Sequence, residues 1–163
     1  MNRCKTFLLA LALFASGAFL TAQVYDSAIG LRLGYPLSVS YKSFISTTDA
    51  IEVYAGFRGY RRYNWVSING AYQRHERISE VNGLEWYYGG GVGLQFWNYD
   101  FDERGSTTLS LAGYLGLQYT FPDSPISLSL DWIPRIFVGT IRTRFEKFGG
   151  GYGGLGVRYV LGR

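Results

Sequence analysis

Hydrophobic and polar residues alternate with a period of two along most of this chain. Between residues 109 and 121 the odd positions are Leu109, Leu111, Gly113, Leu115, Leu117, Tyr119 and Phe121. The even positions are Ser110, Ala112, Tyr114, Gly116, Gln118 and Thr120. A helix would scatter the two sets around its circumference, whereas a strand sorts them onto opposite faces. Residues 126–132 repeat the pattern, with Ile126, Leu128, Leu130 and Trp132 against Ser127, Ser129 and Asp131. Phe121-Pro122-Asp123-Ser124-Pro125 between them is a tight turn, since its prolines have no N–H to give to a ladder. Weaker versions of the pattern predict strands over 28–35, 37–45, 50–60, 65–73 and 84–97, and a last one over about 151–161. Residues 75–83 read as a polar connection and 98–106 as a charged loop. Eight strands joined only by turns and loops predict an all-β, antiparallel up-and-down barrel, closed so that no edge is left unpaired.

The first 22 residues break the pattern. Arg3 and Lys5 precede an uncharged apolar run from residue 6 to residue 20, and Thr21-Ala22-Gln23 follows. This order of regions is that of a secretory signal peptide, cut after Ala22 or Gln23. About 15 apolar residues fall short of the roughly 20 needed to span a bilayer as a helix. Cys4 lies before the apolar run, where a lipidated cysteine would follow it, so the lipoprotein reading fails. The expected domains are therefore residues 1–22 as leader and 23–163 as barrel, and the mature chain would hold no cysteine. After Ala22 no apolar run is long enough for a membrane helix.

Composition matters chiefly for which face of the barrel is outside. The polar face carries Arg32, Lys42, Glu52, Arg58, Glu85, Asp131, Arg135 and Arg158, spaced by Gly, Ser and Ala. A soluble surface is richer in charge, whereas a narrow interior needs small residues and a partner for each ion. The other face is rich in Leu, Val and Ile, and Tyr35, Trp65, Trp86, Trp132 and Tyr159 near strand ends are expected to form interfacial girdles. The expectation is a transmembrane β-barrel, apolar outside and charged within. The formal charge of +4 falls to +2 without Arg3 and Lys5, so nucleic-acid binding has little support.

The leader, the eight alternating strands, the Gly and Tyr richness and the alternating last strand resemble small outer-membrane β-barrel proteins of the OmpA/OmpX-like type. The segments Leu84-Glu85-Trp86-Tyr87-Tyr88-Gly89-Gly90-Gly91-Val92-Gly93 and Ser127-Leu128-Ser129-Leu130-Asp131-Trp132-Ile133-Pro134 carry the same likeness. The resemblance implies outer-membrane lipid, lipopolysaccharide, periplasmic chaperones and the barrel-insertion machinery as partners. It also implies an insertion signal at Gly156, Tyr159 and Leu161, although Leu161 stands where the family places an aromatic residue and Gly162-Arg163 extend beyond it.

Candidate chemistry is sparse, and no cofactor motif is present. His75, the single histidine, could join Ser67 or Ser79 and Glu76 or Glu85 in a hydrolytic triad, but no motif spacing supports this, and a solvated periplasmic turn is expected. Glu52, Glu85 and Asp131 offer a carboxylate pair, for which an ion-pair ladder with Arg32, Arg58, Arg135 and Arg158 is the preferred reading. Gly89-Gly90-Gly91 and Gly149-Gly150-Gly151 lack the Lys and Ser of a phosphate loop. Strand parity puts Arg61 and Arg62, the acidic Asp100, Asp102 and Glu103, and the basic Arg142, Arg144 and Lys147 on the outer surface. The basic group suits contact with anionic lipopolysaccharide. A calcium site at the acidic group is weaker than an ordinary solvated loop.

Overall fold

The computed structural model of the protein describes residues 25–60, 63–99, 102–138 and 148–162. The expected leader over residues 1–22, together with Arg61, Arg62, Asp100, Arg142, Arg144 and Lys147, lies outside the described residues. The elements are β1 (Ser27–Tyr35), β2 (Leu37–Phe44), β3 (Asp49–Tyr60), β4 (Tyr63–Arg77), β5 (Leu84–Tyr99), β6 (Asp102–Thr120), β7 (Ile126–Trp132), β8 (Arg135–Val138), β9 (Phe148–Gly149) and β10 (Gly153–Gly162). From β1 to β6 each strand pairs antiparallel with the next, β6 pairs with both β7 and β8, β8 pairs with β9 and β7 with β10, and β1 closes on β10 with Ile29 opposite Tyr159 and Leu31 opposite Val157.

Ten elements make eight staves. β6 pairs along one edge with β7 through residues 115–120 and then with β8 through residues 109–112. The seventh stave is thus one strand interrupted at Ile133 and Pro134, where proline has no N–H to continue the ladder. The gap is bridged by Gly113 N–H donating to the Pro134 carbonyl (3.0 Å) and Ile133 N–H donating to that of Tyr152 (2.8 Å). The eighth stave is β9 with β10, broken opposite the same place, and the Trp132 indole N–H donates to the Gly150 carbonyl there at 2.7 Å.

Three sequence-based assignments are corrected. The predicted polar connection over residues 75–83 is shorter, because β4 runs on to Arg77 and pairs His75 with Tyr87 and Arg77 with Glu85. The predicted loop over 98–106 is largely strand, since β5 reaches Tyr99 and β6 starts at Asp102. The segment Arg135–Val138, unassigned by periodicity, is the outer part of the seventh stave.

The faces have the expected sign. Leu109, Leu111, Leu115 and Leu117 point outward and are 42–50% exposed, whereas Arg32 and Arg158 point inward and are 6% and 1% exposed. Trp86, Trp132 and Tyr159 are outside, but Trp65 is buried in the interior and Tyr35 packs against it, with ring centroids 6.0 Å apart. Those two do not belong to an outer girdle. Trp65 shares the parity of Ser67 and Asn69, so the two-residue period itself turns it inward.

Stave length is uneven: β1 and β2 have 9 and 8 residues, β5 and β6 have 16 and 19. The start of β1, the end of β10 and the turns at 45–48, 78–83 and 121–125 share one rim, the rim of the chain ends, and the far ends of β1, β3, β5 and β8 share the other, hereafter the loop rim.

Glycine sets the interior volume where large side chains cross it. A Cβ at Gly116 would lie 2.6 Å from the Tyr87 ring and 2.8 Å from the Leu130 carbonyl oxygen. Gly116→Val should therefore displace Tyr87 and cost about 1–3 kcal/mol, read as a lower urea midpoint for unfolding of the purified barrel.

Candidate functional site

Inward-facing residues follow one parity on each strand, so charges far apart in sequence meet on the axis. Glu52 on β3 is the hub. Its carboxylate accepts from Arg32 Nη1 (2.9 and 3.1 Å), from Arg158 Nη2 (2.5 Å) and from Gln73 Nε2 (2.8 Å). Arg32 Nη2 donates onward to Asp131 (2.5 Å), which also accepts from the Tyr87 hydroxyl (2.6 Å). Arg158 spends its other N–H groups on Ser129 (2.7 Å) and Ser40 (3.2 Å). Seven of the eight staves are tied through these contacts, all but β6. Charge-assisted bonds of this geometry offset the desolvation of buried ions, which unpaired charges do not.

Above and below the hub lie two further groups. Toward the rim of the chain ends, Lys42 donates to Gln118 (3.1 Å) and sits 4.5 Å from the centre of the Tyr87 ring. Nearby, His75 Nδ1 is 3.0 Å from Glu85, and Arg77 reaches the same carboxylate at 3.8 Å. Toward the loop rim, Arg135 donates to Asn69 Oδ1 (2.6 Å) and Tyr54 Oη (2.5 Å), and Tyr54 shares a 2.7 Å hydrogen bond with Tyr114. Arg58, half-buried, lies over the Tyr35 ring at 3.8 Å.

The structure thus brings Arg32, Glu52, Asp131 and Arg158 into direct contact. Glu85 stands apart with His75, so the three carboxylates do not form a catalytic pair. His75 is not in a solvated turn: it is 3% exposed and stacks on Tyr87, with ring centroids 4.9 Å apart. The imagined triad is not assembled either. Ser67 lies eight residues up the same strand, roughly 26 Å away, where it accepts from Asn69. Glu76 accepts from Arg74 instead. His75 Nε2 has no hydrogen-bond partner among the described residues. Asp102 and Glu103 start β6 and not a loop. In β10, Gly156 faces inward beside Arg158 and Ser129, while Tyr159 and Leu161 face outward.

Tyr54, Asn69, Gln73, Tyr87, Tyr114 and Gln118 complete the interior and were not singled out from the sequence. Each shares the parity of a charged or small neighbour on its strand, which is the signal that identifies it.

Fold and interior together define an all-β protein, a closed antiparallel barrel of eight staves with its apolar face outward. The crystal structure of Neisserial surface protein A is similar in fold, with a TM-score of 0.60 and 16% identity over 83% of this chain and 94% of that one. No protein-family model and no curated protein sequence matches the chain.

Glu52→Gln should be the most damaging interior substitution, because it leaves two arginines facing one another. A loss of about 3–5 kcal/mol is expected, measured by urea unfolding of the detergent-solubilised barrel, against a much smaller loss for the exposed Glu76→Gln.

Proposed function

We propose that the chain is an integral outer-membrane β-barrel protein of the small OmpA/OmpX-like type, with a structural or surface-binding role and no enzymatic activity. One observation carries this reading. Thirty-four large apolar or aromatic side chains among the described residues are 36–62% exposed, and they ring the barrel on every stave. Soluble monomers rarely expose a contiguous apolar patch beyond a few hundred Å². A closed barrel is also the one sheet form that leaves no backbone group unpaired in hydrocarbon. The apolar leader over residues 1–22 supports export, and the likeness in fold to a protein named for the bacterial surface is in keeping with that destination.

The remaining roles follow from this placement. Gly156, Tyr159 and Leu161 on β10 would present the insertion signal, with periplasmic chaperones and the insertion machinery as partners during assembly. Arg61, Arg62, Arg142, Arg144 and Lys147 would meet lipopolysaccharide, and Asp102 and Glu103 would lie near them. Eight staves leave an interior about filled by side chains, so no wide pore is expected. The Glu52 hub crossing the axis supports the same view.

The protein should stay with the membrane pellet after carbonate extraction and migrate differently when unboiled on a gel. Planar-bilayer recordings should lack large, stable conductance. Release into the soluble fraction would refute the reading. Leu111→Arg, on the outward face, should cost about 2–4 kcal/mol if the site lies at the bilayer midplane, and much less if it faces water, as lipid-vesicle unfolding would measure.

A further inference from the structure

The loop-rim half of the interior holds a cation with no carboxylate partner among the described residues. Arg135 is 2% exposed, and its guanidinium meets neutral groups, the acceptors Asn69 Oδ1 and Tyr54 Oη and the Tyr152 ring 5.2 Å away. Among the described residues no carboxylate lies within ion-pair distance of it, and its Nε–H has no hydrogen-bond partner. The buried acids are held elsewhere: Glu52 pairs with Arg32 and Arg158, Asp131 Oδ2 accepts from Arg32 and Tyr87, and Glu85, toward the opposite rim, pairs with His75. Lysine can give up its proton when buried, but arginine cannot. Arg135 therefore stays charged, in a place where an uncompensated charge is costly.

The same side chain lines a cavity. It measures about 10 Å³ and is walled by Arg32, Ser38, Tyr54, Ile133 and Arg135 beneath the β1–β2 turn. That is room for one small occupant, with some latitude around a water-sized sphere. Two guanidinium groups bordering a space of this size, one of them with an N–H to spare, select a small anion over water.

We propose that this cavity is a binding site for a monatomic inorganic anion of chloride size, which supplies the counter-charge of Arg135. A space of this size favours a single-atom anion over phosphate or an organic carboxylate. The site depends on the interior alone and stands apart from where the barrel resides in the cell.

The test uses the purified barrel in chloride-free detergent solution, its folding checked by unboiled gel migration. On titration with sodium chloride, the chlorine-35 resonance should show a saturable excess linewidth that bromide displaces and phosphate does not. Arg135→Gln should lose that excess, and Arg74→Gln, which alters an exposed rim arginine, should keep it. Crystals of the unaltered protein grown in sodium bromide should show an anomalous peak against the Arg135 guanidinium, a readout independent of how any variant folds. A water without anomalous signal at that position would overturn the proposal, as would excess linewidth that persists in folded Arg135→Gln.

Discussion

A sheet of eight staves that closes on itself encloses a space only as wide as the side chains that fill it. Everything else in this molecule answers that geometric limit. Inward positions mix glycine, serine and alanine with residues large enough to cross the axis, because the lumen cannot hold a large side chain at every position. Gly116 opposite Tyr87 and Gly156 beside Arg158 are the local form of this rule. The large residues that cross are mostly arginines, tyrosines and glutamines, whose polar ends must find partners away from water. Glu52 meets that need for two arginines and a glutamine at once.

The interior network links residues up to 118 positions apart in sequence, as between Arg158 and Ser40. Neighbouring backbones are joined by the sheet ladder, but these side chains join staves that are not neighbours. They fix the cross-section of the barrel in a way the ladder alone does not. A buried ion pair is weak evidence for net stability, and its consequence here is shape: the hub specifies which staves face one another across the lumen.

The fold was legible because a two-residue period sorts side chains whatever surrounds the barrel. Its sign was legible from sparse charge padded with tiny residues, a composition suited to a crowded interior. What escaped was decided at strand ends. His75 continues the inward parity of Ser67, Asn69, Ala71 and Gln73, yet the polar run after it resembles a turn, and only pairing with Tyr87 on β5 extends the strand through it. Trp65 looked like an interfacial aromatic because position along a strand, without parity, favours that reading. Arg135–Val138 was hidden by Pro134, which breaks the ladder but not the stave. Contacts such as Arg135 with Asn69 depend on the stagger of staves around the cylinder, and no local pattern encodes stagger.

The unequal staves have a consequence for how anything approaches the mouth. At about 3.3 Å per residue, the 19 residues of β6 run roughly 60 Å, while the 8 of β2 run roughly 26 Å. The barrel wall is consequently lopsided, low beside β1 and β2 and raised on the flank of β5 and β6. A visitor descending along the axis would be screened from one side and admitted from the other, so the opening has a direction built into its rim.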